Sequence, residues 1–196
     1  ISNCLNSIQY LNYTADHEAA QVYLGRFARL IRMTLQYSRK VFITVSEEIA
    51  YLSEYLQMEQ LRLKERLHYT IDNELEHGTL IPAMLLQPYV ENALKHGISD
   101  LPYGGTVNIG FSKAGTNLVI KISDNGPGFS DGHSAESMGL RLSSTKALSY
   151  NELFNMDVTI QCSNKQESDS HGTGAVICII IKTNKKWKNQ LHVLSS

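Results

Sequence analysis

From Ile1 to Arg66 the apolar residues return at intervals of three and four: Leu5, Ile8 and Leu11, then Leu24, Phe27, Leu30, Ile31 and Leu35, then Ile49, Leu52, Leu56 and Leu63. That period places them on single faces of three successive helices. Asp16 is positioned to cap the second helix, and Val41 to Val45 predicts a short extended connector. Ser46, followed by Glu47 and Glu48, predicts the start of the third helix, where acidic side chains favour the positive end of the dipole. The far end of that helix, with Glu59, Arg62, Lys64, Glu65 and Arg66, reads as a charged, solvated surface.

After Arg66 the period changes. Leu67, Tyr69 and Ile71 alternate with polar residues as in a half-buried strand, and Asn73 to Thr79 reads as a turn. Pro82 predicts a helix start, with Leu85, Leu86, Tyr89, Val90, Ala93 and Leu94 as its apolar face, Pro88 bending or resetting it, and Gly97 ending it. Thr106 to Phe111 and Asn117 to Ser123 read as strands joined through Lys113-Ala114-Gly115-Thr116. A helix around Gly139 to Asn151 and strands at Asp157 to Cys162 and Ala175 to Lys182 follow, with Ser163 to Ser170 as a hairpin loop. The whole predicts an α+β chain: a helical module over residues 1–66, a two-layer α/β sandwich with a mixed sheet over 67–183, and a basic tail over 184–196 around Trp187.

Composition narrows the function classes. Eighteen basic against nineteen acidic residues give a formal charge of -1, so no global positive field argues for nucleic acid or an anionic membrane. Cys4, Cys162 and Cys178 are odd in number and widely spaced, which favours reduced, buried thiols in a cytosolic setting over a disulfide framework or a zinc site. The longest apolar run, Ala175 to Ile181, falls well short of the roughly 20 residues that span a bilayer, and no membrane contact is expected of this segment. Ile1 in place of a Met, with no signal-peptide pattern after it, predicts an internal piece of a longer protein.

Four short elements carry candidate chemistry. In Gln87-Pro88-Tyr89-Val90-Glu91-Asn92-Ala93-Leu94-Lys95-His96-Gly97, helical spacing puts Glu91 and Asn92 one turn from Lys95, so one edge can offer a carboxylate, an amide oxygen and a cation to a metal-bound polyphosphate. The same spacing also makes an ordinary surface Glu–Lys pair. Asp124-Asn125-Gly126-Pro127-Gly128 follows a strand, where the acid can accept a bond from a purine amino group and Gly126 and Gly128 permit positive φ and close backbone approach; a plain Asx turn reads identically. Ser137-Met138-Gly139-Leu140-Arg141 precedes a helix whose amides can face phosphate. Gly172-Thr173-Gly174-Ala175 lets backbone close over a base, or forms a tight turn. His96 can contact phosphate or bond locally, and the other histidines are dispersed without metal-ligand spacing.

In this order, the four elements resemble the N, G1, G2 and G3 boxes of the GHKL (Bergerat) ATP-binding fold of histidine kinases, DNA gyrase, Hsp90 and MutL, over about Leu67 to Lys182. The amino-terminal third is closer still to one group. Asn3-Cys4-Leu5-Asn6-Ser7-Ile8, Tyr23-Leu24, Arg32-Met33-Thr34-Leu35, and Glu47-Glu48 with Tyr55-Leu56 resemble the LytS/YehU-type sensor histidine kinases. In that family the run opens Asn-Pro-His-Phe-x-x-Asn-x-Leu-Asn-Ser-Ile, which puts the phosphoacceptor histidine two positions before Ile1.

The resemblance implies an ATP-dependent protein-histidine kinase using ATP and Mg2+. Asn92 would hold the metal, Glu91 would act as base or polarising carboxylate, and Lys95 would contact phosphate. Asp124 would read adenine, with Gly126, Gly128, Gly139 and Leu140 shaping the loops, Thr173 at the base edge and His96 beside the nucleotide. It further implies a homodimer built by the helices, phosphorelay to a response regulator receiver domain in two-component signalling, and a cytoplasmic position in a membrane-anchored, inner-membrane sensor. Two departures stand out: Ser137 occupies the first position of the usual Gly-x-Gly-Leu, and the segment Phe129 to Glu136 makes a short lid. A GHKL ATPase outside signalling and a degenerate domain serving as a dimeric scaffold are the other readings.

Overall fold

A computed structural model describes residues 17–63, 66–98, 101–129, 147–153, 156–165 and 173–182. Expectations resting on Asp16, on the helix before it, on Cys4, on Ser137, Gly139 and Leu140, and on the tail lie outside those residues.

Helix α1 (His17–Tyr37) buries Ala20, Tyr23, Leu30 and Tyr37 against α2 (Val45–Arg62). Arg26 of α1 donates to Glu54 of α2 at 2.8 Å and Arg29 reaches the same carboxylate at 3.5 Å, so the nearly buried Glu54 is paired across the two helices. The cap of α2 is Thr44 rather than Ser46. The Thr44 hydroxyl accepts from the Glu47 amide at 3.1 Å, while the Glu47 carboxylate takes the Thr44 amide at 2.8 Å. This capping box satisfies two orphan donors and contributes on the order of 1 kcal/mol. At the other end Glu59 is not solvated as expected: it is 5% exposed, and Arg62 one turn on neutralises it at 2.7 Å.

The extended connector is a strand, β1 (Phe42–Thr44), paired antiparallel with β3 (Leu80–Pro82). Pro82 therefore ends a strand instead of starting a helix. Met84 sits at φ 58, a left-handed conformation no right-handed helix admits, so the helix α3 (Gln87–Asn92) begins only at Gln87. Pro88 falls in the first turn, where its missing N–H costs no helical bond.

The main sheet has the order β2-β4-β5-β7-β6, with β2 (Leu67–Asn73), β4 (Gly105–Ala114), β5 (Asn117–Asp124), β6 (Asp157–Asn164) and β7 (Ala175–Lys182). Among the described residues only β2 and β4 run parallel, so the sheet is mixed, and the fold is the α+β class the alternation predicts. The β4–β5 hairpin closes through Gly115 at φ 61 and Thr116, a tighter turn than the four residues expected. Val107, Ile109 and Phe111 of β4, Ile120 and Ile122 of β5, and Ile177, Ile179 and Ile181 of β7 line the inner face. They share one core with Leu52, Leu56 and Met58 of α2 and with Tyr89, Val90 and Leu94, so packing runs without a break across residue 66. Cys162 and Cys178 are free thiols, half-buried rather than buried.

Residues 147–153 form a helix, α4, covering the end of the predicted Gly139 to Asn151 segment. The Tyr150 hydroxyl lies 3.2 Å from both the Val41 and the Ala83 carbonyl oxygens, holding α4 against the β1–β3 ribbon.

A candidate nucleotide site between the helix of Asn92 and the strand of Asp124

The helix from Gln87 changes pitch directly after Glu91 and Asn92. It is α-helical over α3 and continues as a π-helix over Ala93–Ile98. A stretch with i→i+5 bonds is rare and recurs at functional sites, because it rotates the following residues off the regular helix face. The surface Glu91–Lys95 pair does not form: Glu91 instead accepts from Gln87 at 2.6 Å, and Lys95 is exposed. Gly97 does not stop the helix but lies within the π turn, packed on the next element. A Cβ at Gly97 would stand 2.8 Å from Asp124 Cγ, so a side chain there would displace the Asp124 carboxyl group.

Asp124 ends β5 next to the start of β7, since Ser123 pairs with Val176. Its Oδ1 accepts from the Gly126 amide at 2.9 Å and the Ala175 amide at 3.3 Å; among the described residues neither bond engages Oδ2. The Asx turn is thus real, and it serves to aim the carboxylate. Asp124 is 4% exposed, and burial pushes its carboxyl above the usual range, partly offset by the two amides and by the charge of Lys165. Gly126 is required for close approach, as a Cβ there would fall inside the Gly97 backbone. Gly128, at φ 77, is required for its conformation.

These elements enclose an open cavity of about 520 Å³ lined by His96, Gly97, Leu101, Gly126, Pro127 and Thr173, with Asp124 directly behind Gly97. That volume suits a nucleotide-sized ligand. The structure therefore lines one cavity with His96, Gly126 and Thr173, sets Asp124 and Gly128 beside that lining, and leaves Glu91 and Lys95 exposed and outside it. Asn92 is half-buried, and among the described residues its buried amide nitrogen has no hydrogen-bond partner, a donor a ligand oxygen would satisfy. The Glu91 charge reaches α2: Tyr51 there is pushed up to about 12 by burial, eased by the Thr34 hydroxyl and raised further by Glu91 and Glu48.

Sequence reasoning gave Gly97 no role beyond ending the helix and Asn125 no role of its own, although the Asn125 side-chain oxygen accepts from the Thr106 amide at 2.7 Å; Gly174, expected to let the backbone close in, sits at φ 145 against the Asp124 backbone. A glycine after His96 carries the same letter as a helix stop, so only the packing distinguishes the two roles.

Residues 1–67 match the family described as histidine kinase, and residues 81–188 match the family described as histidine kinase-, DNA gyrase B-, and HSP90-like ATPase. The chain is 35% identical over 144 residues to the sensor histidine kinase BtsS of Escherichia coli K12, covering 71% of this chain and 25% of BtsS. It is 34% identical over 127 residues to the sensor protein LytS of Staphylococcus saprophyticus, covering 64% of this chain and 21% of LytS. It thus spans a quarter or less of those two proteins. In fold it is similar to the Acinetobacter baumannii histidine kinase AdeS, with a TM-score of 0.55 at 18% identity over 90% of this chain and 84% of that one. The catalytic domain of histidine kinase ThkA gives 0.52 at 15% identity, over 72% of this chain and 93% of that domain. The LytS/YehU-type resemblance is borne out, and the chain belongs to the histidine kinase-, DNA gyrase B- and HSP90-like ATPases, preceded by a histidine kinase segment.

Proposed function

We propose that this chain is the kinase core of a sensor histidine kinase, which binds Mg-ATP and transfers the γ-phosphoryl group to a histidine that the resemblance places ahead of Ile1. The observation that carries the reading is the Asp124 carboxylate, held by two backbone amides behind a nucleotide-sized cavity in a chain of this ATPase family. With Oδ1 occupied by amides, Oδ2 is the atom available to accept from an adenine amino group. Thr173 would stand at the base edge and His96 beside the nucleotide, both lining the cavity with Gly126, while Gly128 would shape the same loop. Gly139 and Leu140 complete the phosphate end in this reading.

In this reading the side-chain oxygen of Asn92 would be the magnesium ligand. Among the described residues no cluster of three His, Cys, Asp or Glu could hold a metal by itself, and a single amide oxygen joining water and phosphate oxygens is the usual way this hard cation binds. When bound, magnesium neutralises phosphate charge. Asn92 would hold it, and Lys95 would add a second positive charge. Glu91, on the exposed edge nearest α2, would polarise or deprotonate the attacking imidazole. The N–P bond forms as the bond from the γ-phosphorus to the bridging oxygen breaks, ADP leaves, and the imidazole proton passes to Glu91 or water. The phosphoryl group would then move to an aspartate of a response regulator receiver domain. In functional terms the division is 1–66 for dimerisation and phosphotransfer, 67–183 for ATP binding and 184–196 as tail. The described residues contain no helix long and apolar enough to cross a membrane, so anchoring of the parent protein would fall to another segment.

Extending the chain by the segment that carries the histidine and incubating it with γ-labelled ATP and magnesium should give acid-labile, base-stable label. Glu91→Gln should slow labelling about a hundredfold with nucleotide affinity unchanged. No label on a folded extended chain that binds ATP would support the scaffold or non-signalling ATPase readings instead.

The homodimer has its own support. Leu24 and Leu35 of α1 are 52% and 58% exposed and lie with Ile31 within a narrow arc of the helix, beside the face that packs on α2. That stripe repeats at the spacing of a helix–helix seam. Leu24→Asp combined with Leu35→Asp should convert the dimer to a monomer in analytical ultracentrifugation while keeping the far-UV spectrum. A wild-type chain monomeric at high concentration would contradict the dimer.

A further inference from the structure

We infer that Asn164, at the end of β6, is a positioning residue for the nucleotide site, fixing the far end of the loop that Asp124 fixes at its near end. The inference rests on the nucleotide reading above. The Phe129 amide donates to Asn164 Oδ1 at 2.6 Å, and Asn164 Nδ2 donates to the Phe129 carbonyl at 2.9 Å. One side-chain amide thereby satisfies both backbone groups of a residue 35 positions away, as a rung of a sheet ladder would. The loop between, Asn125 to Phe129, carries the Gly126 and Pro127 wall of the cavity.

Its two ends are held differently. At the near end the Gly126 amide is bound by Asp124 at 2.9 Å. At the far end Gly128 must adopt φ 77 for Phe129 to meet Asn164, and a Cβ on Gly128 would stand 2.7 Å from Asn164 Oδ1. The anchor is itself registered on the site, because the Lys165 amide donates to the Gly174 carbonyl at 2.9 Å and Gly174 packs on the Asp124 backbone. Thr173 of the cavity wall precedes that glycine. Asn164 is exposed, so its bonds add little to global stability, while they restrict where the loop can sit before ligand arrives. Preorganisation of this kind shows in affinity.

The molecule supplies its own control. Asn151 of α4 makes the same two bonds to a single residue, accepting from the Val158 amide at 2.7 Å and donating to the Val158 carbonyl at 3.1 Å, but is not among the residues lining the cavity. Titration calorimetry with adenylyl imidodiphosphate and magnesium, together with thermal unfolding of the unliganded protein, separates the two roles. Asn164→Ala should weaken binding about tenfold with the unfolding midpoint close to wild type. Asn164→Asp, which keeps the acceptor for the Phe129 amide and loses the donor, should fall between. Asn151→Ala should lower the midpoint and leave affinity alone. Wild-type affinity in Asn164→Ala, or an equal loss in Asn151→Ala, overturns the inference. Should Asn164→Ala not fold, wild-type affinity in Asn164→Asp overturns it equally. A wild-type chain that binds no nucleotide would instead overturn the nucleotide reading, and this inference with it.

Discussion

Asp124→Asn should abolish measurable nucleotide binding while leaving the unliganded protein as stable as wild type or more so. The substituted side chain keeps an oxygen for the Gly126 and Ala175 amides, so the loop geometry survives. Those two donors orient the amide with its nitrogen where Oδ2 was, and a purine amino group then meets a donor instead of an acceptor. A buried mismatch of this sort costs at least about a hundredfold in affinity. The stability arm follows from the titration of the carboxyl group. Its folded pKa is raised above the unfolded value, chiefly by burial, so protonated Asp124 stabilises the fold at pH below the unfolded value. That contribution disappears as the pH rises through the folded value, leaving a buried charge at neutral pH. Asn removes the charge. Correspondingly, wild-type affinity should begin to fall at a pH above the range of an ordinary aspartate, as Asp124 takes up its proton. Calorimetric titration and thermal unfolding over the same pH series check both arms.

Gly126→Ala should weaken nucleotide binding at least tenfold and also destabilise the unliganded fold, by about 1–3 kcal/mol. The added methyl would fall within 2.8 Å of the Gly97 carbonyl carbon, and neither side of that contact is a flexible side-chain end. Relief requires the π turn to move away from β5, which separates Gly97 from Asp124 and opens the cavity wall. Gly115→Ala is the contrasting case. Gly115 has open space around its Cβ position and a φ of 61, so that variant should cost stability through its turn conformation alone and leave affinity unchanged. Equal effects of the two substitutions on affinity would show that the Gly97–Gly126 contact does not shape the site.

Periodicity and punctuation made the strands legible, because Leu67, Tyr69 and Ile71, and the run Ala175 to Ile181, can satisfy a pleated sheet in only one register with the core. The errors fell where a tertiary contact overrode a local preference. Pro82 is a good helix start in isolation, yet pairing of Leu80–Pro82 with Phe42–Thr44 and the left-handed Met84 postpone the helix to Gln87. Ser46 is a good cap, but Thr44 has Glu47 at the spacing that closes a capping box. The acid and glycines of Asp124 to Gly128 are ordinary turn residues after a strand, and they were legible as a site only through the order of the four elements. Asn164 was not, since an asparagine in a polar hairpin has no signature until Phe129 is brought to it across the sheet.

The most direct measurement is calorimetric titration of the wild-type chain with a nonhydrolysable ATP analogue, with and without magnesium, repeated for Asn92→Ala. Binding that strengthens with magnesium in the wild type and loses that dependence in Asn92→Ala is the predicted result. A folded wild-type chain that binds no analogue under either condition would contradict the assignment of an ATP-dependent kinase core.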